Sequence, residues 1–133
     1  MEWIAIALGG MVGALLRHSL TVIFSSISPG WLPYATLTAN IAGCFAIGFL
    51  FHWSHHQGIT STWWIVGTRV GLLGGLTTFS SFALDLVDHW NQKSWAASLL
   101  LGCLHLFLGL AAVVAGVKLA GQFTVTETSA DSA

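Results

Sequence analysis

Four apolar segments, each long enough to cross a bilayer and joined by connectors too short to hold a domain, constrain this chain more than any single residue does. They run roughly over residues 3–24, 32–53, 63–87 and 95–120, and about 20 apolar residues suffice for a spanning helix. Only 7% of the 133 residues are charged and 55% are hydrophobic, too little charge to cover a soluble surface. All seven tryptophans (Trp3, Trp31, Trp53, Trp63, Trp64, Trp90 and Trp95) fall at segment ends, as rings that anchor helices at headgroup level do. The expected fold is all-α: a four-helix membrane domain over 1–120, then a polar, mobile tail over 121–133. The first segment lacks a basic leader and is too long for a signal core, so it is expected to stay as a span. Cys44 and Cys103 fall mid-span and are expected to pack as small apolar groups.

The third segment cannot be one plain helix. Gly74-Gly75-Leu76-Thr77-Thr78-Phe79-Ser80-Ser81-Phe82 places two adjacent glycines beside four hydroxyl residues that compete for backbone hydrogen bonds. A break at membrane depth survives only where protein or a watery cavity satisfies the freed backbone. Such breaks tend to be ion or substrate sites.

Loop charge gives no orientation. Of the four basic residues, Arg17 and Arg69 are inside spans, and Lys93 and Lys118 lie on opposite sides of the membrane. A chain without bias is expected to insert both ways, and inverted copies can pair as an antiparallel dimer. Arg17, Asn40, Arg69, Asp85 and His105 each need a partner, which also points to an oligomer. Gly9 and Gly13, with Gly10 and Ala14 beside them, offer a close-packing face, as do Gly102, Gly109 and Gly116.

Several polar and aromatic residues have two uses. Asn40 shares a helical face with Thr36, Gly43 and Ile47; its carboxamide suits either a dehydrated anion or an interhelical hydrogen bond. Phe79 and Phe82, three apart, either present positive ring edges to an anion or simply pack. Ser80 and Ser81 supply hydroxyl donors or cap the backbone at the break. Arg17 either snorkels or concentrates anions at a pore mouth. His52, His55 and His56 have metal-ligand spacing but no acid or thiol beside them.

Three motifs then identify a resemblance. Gly9-Gly10-x-x-Gly13-Ala14-x-x-Arg17, Thr36-Leu37-x-x-Asn40-x-x-Gly43-x-Phe45 and the third-segment motif resemble those of the Fluc (CrcB) fluoride channels, across all four spans. The resemblance implies dual-topology antiparallel homodimers in a bacterial inner membrane, with two fluoride pores. It implies a structural Na+ at the dimer centre, held by the carbonyls of Gly74 and Thr77. It assigns Asn40, Phe79 and Phe82 to the pore, with Ser80 and Ser81 as nearby donors, and Arg17 to its vestibule. Fluoride is the permeant ion, and the partners are a second copy and the lipid membrane; no nucleic acid and no obligatory second protein enters the expectation.

The chain departs from the family where a hydroxyl or amide pair usually faces the pore from the fourth helix: those positions fall at Leu101 and His105. Ala35 and His18 are further departures. If His105 lines the path, conduction is expected to vary with pH in the range where histidines ionise, because a protonated ring would hold the anion more strongly. A packed histidine bonded to a neighbouring helix is the alternative.

Two other functions were open at this level. A small multidrug-type exporter needs a membrane-embedded carboxylate for proton exchange, whereas the first helix carries Arg17 and no acid. A non-transporting assembly subunit leaves Asn40 and the hydroxyl cluster without a role. No nucleophile–base pair suggests an enzyme.

Overall fold

The computed structural model describes residues 1–27 and 33–130. Trp31 and the start of the second expected span lie outside them, as do residues 131–133. The described chain is helical, with four segments long and apolar enough to span: Glu2–Ile27, Tyr34–His56, Trp63–Gln92 and Trp95–Phe123. Helix α1 is Glu2–Ile27 and α2 is Tyr34–His56. The third span is composite: α3 (Trp63–Val66), a π-helical stretch (Gly67–Leu73), α4 (Gly74–Leu76), two extended residues and α5 (Phe79–Gln92). Helix α6 runs from Trp95 to Ala130, so the polar tail continues the helix beyond the expected end of the last span. No proline interrupts it.

Side chains in this fold point mostly outward. Among the described residues the buried apolar set is Leu37, Ala39, Ile65, Leu73, Leu101 and Ala120, whereas leucines and valines along every span are exposed. That inversion is what a bilayer permits, because lipid tails are as apolar as leucine and give helices no hydrophobic reason to associate. Close backbone packing takes over.

Glycine provides that packing in two helix pairs. Where α1 crosses the first half of the third span, a Cβ on Gly9 would collide with the Gly67 carbonyl, and one on Gly13 with the Leu72 carbonyl. A Cβ on Gly71 would stand 2.6 Å from the Ile6 carbonyl, and one on Gly75 2.5 Å from that of Gly10. Helix α2 meets α6 in the same way: a side chain on Gly48 would strike the Val113 carbonyl, and one on Gly116 that of Phe45. The small-residue faces of the sequence thus serve contact within one chain. Helix α5 rests on α6, where the Ser98 hydroxyl donates to the Leu86 carbonyl at 2.8 Å.

The turns are locally encoded. After the C-cap Gln57, Gly58 takes a left-handed conformation (φ 66°). The Gly58 N–H donates to the His55 carbonyl at 3.2 Å and the Ile59 N–H to that of Ser54 at 3.1 Å. This pair of bonds closes α2 as a Schellman motif, and glycine adopts the required conformation without strain. At the far end of α5, Ser94 starts α6 by accepting the Ala97 N–H at 3.2 Å.

Candidate functional site

Between α4 and α5 the backbone leaves helical geometry for two residues, Thr77 (φ −79°, ψ 154°) and Thr78 (φ −152°, ψ 120°). Thr77 still belongs to the preceding turn: its N–H and its hydroxyl both donate to the Leu73 carbonyl, at 2.9 and 2.8 Å. Thr78 belongs to the next. Its hydroxyl accepts the Ser81 N–H at 3.1 Å and so caps α5. The same oxygen lies 3.2 Å from the hydroxyls of both Ser80 and Ser81.

The backbone of Thr78 would be stranded without α2. Asn40 supplies both missing partners: its Nδ2 donates to the Thr78 carbonyl at 3.1 Å, and its Oδ1 accepts the Thr78 N–H at 2.8 Å. The carboxamide thereby imitates a neighbouring β-strand, and one of its two N–H groups is left over. Gly43, one turn further along α2, makes room for Thr77: a Cβ there would overlap the Thr77 methyl.

These diversions take the helical donors from two of the carbonyls at the break. In a continuous helix the Gly74 carbonyl would accept from Thr78 N–H and the Thr77 carbonyl from Ser81 N–H. The first donor is taken by Asn40 and the second by the Thr78 hydroxyl. Gly74 and Thr77 are the residues to which the resemblance assigns a cation. Oxygen donors from unwound backbone suit a hard monovalent ion such as Na+.

The break opens onto a cleft of about 530 Å³. Gly74, Thr77 and Thr78 line its centre, with Asn40 on α2, Phe79 and Phe82 on α5, and His105 on α6. Phe79 and Phe82 meet edge to face, with centroids 5.8 Å apart and planes at 62°. Phe82 also lies against His105 at 4.4 Å. Phe79 remains 79% exposed, so this face of the isolated chain is open.

A second, polar recess of about 210 Å³ lies on the other side of the break, lined by Arg17, His18, Thr21, Thr36, Thr78 and Ser81. The expected site residues are therefore divided. Asn40, Phe79, Phe82, His105, Gly74 and Thr77 share the cleft, while Arg17 and Ser81 face the recess. Thr78 borders both. Ser80 is exposed and reaches the group only through the Thr78 hydroxyl.

On α6, Leu101 is fully buried, and its carbonyl lies 3.1 Å from His105 Nδ1. Arg69 lines the cleft from the π-helical stretch, with its guanidinium 5.7 Å from the centre of the Phe51 ring. The His52 and His56 rings lie 4.5 Å apart with planes tilted by 52°, yet no cluster suited to a metal ion occurs among the described residues.

Sequence reasoning missed Thr78 as the joint of the site and Thr36 as a neighbour of Asp85. The extended conformation and the N-cap position that single out Thr78 are tertiary facts; the sequence signal is only a threonine, a residue type favoured at helix N-caps, just before the segment where the helix resumes.

Four apolar spans around a polar break define a multi-pass integral membrane protein. Residues 4–117 match the family described as CrcB-like protein, Camphor Resistance (CrcB), and the chain belongs to that family. Relatives named fluoride-specific ion channel FluC include those of Caulobacter vibrioides, 38% identical over 117 residues (86% of this chain, 91% of the relative), and Paracoccus denitrificans, 38% over 115 residues (86% and 90%). A relative from Staphylococcus haemolyticus named fluoride-specific ion channel FluC 2 is 38% identical over 124 residues (93% and 100%). These relatives are named as channels, not enzymes.

Proposed function

We propose that this chain is a passive fluoride-selective channel of the bacterial plasma membrane, working as an antiparallel homodimer with two pores. The observation that carries the proposal is the joint at Thr78, where Asn40 and the Thr78 hydroxyl hold a break open beside two aromatic rings. Fluoride keeps its water tightly, so a conducting path must replace that shell with donors while binding weakly enough for release. The remaining Asn40 N–H, the hydroxyls of Thr78 and Ser81, and the ring edges of Phe79 and Phe82 are such donors, without a fixed positive charge that would trap the ion. Arg17, in the recess, raises the local anion concentration at the mouth.

The dimer is supported by the open cleft. Gly74 and Phe79 are exposed there in a single chain, and the backbone at a break needs protein or water around it. A second, inverted copy across this face would bring four freed carbonyls together, two from Gly74 and two from Thr77. A Na+ there would offset their negative dipoles and tie the two broken helices. Fluoride enters cells as neutral HF in acid surroundings and ionises in the more alkaline cytoplasm; the channel lets the trapped anion leave down its gradient.

Efflux from proteoliposomes loaded with fluoride or chloride, followed with ion electrodes and valinomycin, tests the proposal. Rapid release of fluoride without chloride is the expected result. Well-folded dimers that release neither ion would sink it.

A further inference from the structure

Arg69 is the one fixed charge on the wall of the cleft: no aspartate or glutamate lines it, and Cys44, Ile47 and Leu73 give it an apolar surface. Arg69 is half-buried, and among the described residues its guanidinium makes no ion pair or hydrogen bond. Its contact is with the ring of Phe51, 5.7 Å away at the centroid. A charge inside a span is costly, and such residues mark ion pathways when they face a cavity.

Backbone packing fixes the height of Arg69 in the membrane. It lies between Gly67 and Gly71, which pack on Ala5 and Ile6 of α1. Arg17 is three turns further along α1, about 16 Å away by helical rise, and lines the polar recess. On α2, Phe51 is likewise three turns beyond Asn40, which clamps the break. Arg69 and Arg17 therefore stand on opposite sides of the break, at the two ends of the path assigned above to fluoride, a reading on which this inference rests. With an inverted copy beside it, each face of the dimer presents one Arg17 and one Arg69.

We propose that Arg69 is the anion-collecting residue at the cleft mouth of the fluoride path, and that Phe51 holds it there. A guanidinium stays charged at any physiological pH, and low-dielectric walls focus its field on the cleft. Fluoride is thereby concentrated at the mouth. The face of the Phe51 ring attracts the cation and pins the long side chain. Pinned, the guanidinium is kept from folding inward to the break, where a charge-assisted hydrogen bond would bind the ion too firmly for release. The ring thus separates attraction from binding.

The test is the initial rate of fluoride efflux from vesicles of zwitterionic phospholipid, at one fluoride concentration and two ionic strengths set with potassium gluconate. Between about 0.01 M and about 1 M the screening length falls from about 30 Å to about 3 Å. Arg69→Gln is expected to lower flux at least about threefold at the low ionic strength and to match wild type at the high one. Arg69→Lys keeps the charge and is expected to restore the low-salt rate. Equal low-salt flux in wild type and Arg69→Gln overturns the proposal; that is the outcome for an arginine that merely snorkels to a lipid phosphate. A loss of the same size at both ionic strengths, or one that lysine does not restore, also overturns it, because it marks a structural role.

Phe51→Leu tests the anchor. Flux is expected to fall, while fluoride binds the detergent-solubilised dimer at least about threefold more tightly in titration calorimetry. Phe51→Leu combined with Arg69→Gln is expected to return both readings to those of Arg69→Gln alone. Unchanged affinity in Phe51→Leu, or tighter binding that persists in the double variant, overturns the role of Phe51. The titration needs no transport. Arg69-dependent tightening in folded dimers that pass no fluoride would leave the arginine and its anchor standing and refute the channel; fluoride flux indifferent to both residues would do the opposite.

Discussion

Replacing Asn40 by alanine removes both hydrogen bonds that hold Thr78, and the structure sets the size of the effect. Interhelical hydrogen bonds in membranes average roughly 0.6 kcal/mol, so two of them set a floor near ~1 kcal/mol. The groups left behind raise it. Thr78 is only 8% exposed, and its N–H and carbonyl would both be orphaned. An unsatisfied buried group costs roughly 1–3 kcal/mol, so two give about 2–6 kcal/mol if no water enters. Water reaching the break through the cleft would lower that cost, which places the expected loss at about 2–3 kcal/mol. Unfolding in a mixed-micelle denaturant titration, followed by tryptophan fluorescence, measures that loss. Amide exchange at Thr78 locates it.

Asn40→Asp separates the clamp from mere bulk. The variant keeps an acceptor for the Thr78 N–H but, when ionised, sets an oxygen against the Thr78 carbonyl. Protonated, it carries one O–H donor and one acceptor and can repeat both bonds of asparagine. The folded state therefore prefers the protonated form, so the folded pKa of the introduced carboxyl lies above its unfolded value. The stability from the clamp is then fully present below the unfolded value and is lost as pH rises through the folded one. At neutral pH the variant should also fail to conduct fluoride, with a negative charge on the path. Unchanged stability in Asn40→Ala, with unchanged exchange at Thr78, would refute the clamp and return Asn40 to direct anion binding alone.

Phe82→Ile removes the ring between the break and His105 and should abolish fluoride flux while dimers still form, measured by efflux and size-exclusion chromatography. Gly13→Ala should impair folding of the single chain, because its methyl group would collide with the Leu72 carbonyl and stand 2.8 Å from the Leu76 nitrogen, both rigid backbone. Gly10→Ala, whose methyl group would meet nothing nearer than the Gly71 carbonyl at 3.9 Å, should be tolerated; equal yields of folded protein from the two would refute the packing argument. Exchanging sodium for a bulky organic cation should loosen the dimer, read as a lower thermal midpoint. No shift would argue against a cation on the Gly74 and Thr77 carbonyls.

Length and apolarity alone located the four spans, because a bilayer allows the backbone few alternatives. The ends were less legible. Helix α2 runs on through His56 to a glycine turn that acts by conformation, not hydropathy, and α6 passes into a polar stretch that hydropathy ends at residue 120. Asn40 was singled out from its depth, and both of its uses were open. The structure adds that its carboxamide pairs with the Thr78 backbone, a partner 38 residues away that no periodicity can reveal. Asp85 stood in the sequence only as one of several polar residues that need a partner. Its setting against Thr36 depends on how α2 and α5 converge.

Thr78 connects these threads. Its backbone is bonded to α2, its hydroxyl caps α5, and its surface borders both the cleft and the recess. A valine there would keep the shape and the Asn40 bonds but lose the cap, worth about 1 kcal/mol at a typical helix start. Without the cap, the Ser81 N–H becomes free to donate to the Thr77 carbonyl. That carbonyl would then turn into the helix and away from the cleft. The hydroxyl therefore stabilises α5 and keeps an oxygen available at the break through one hydrogen bond, which is why serine, also a good cap, is the substitution expected to preserve both effects.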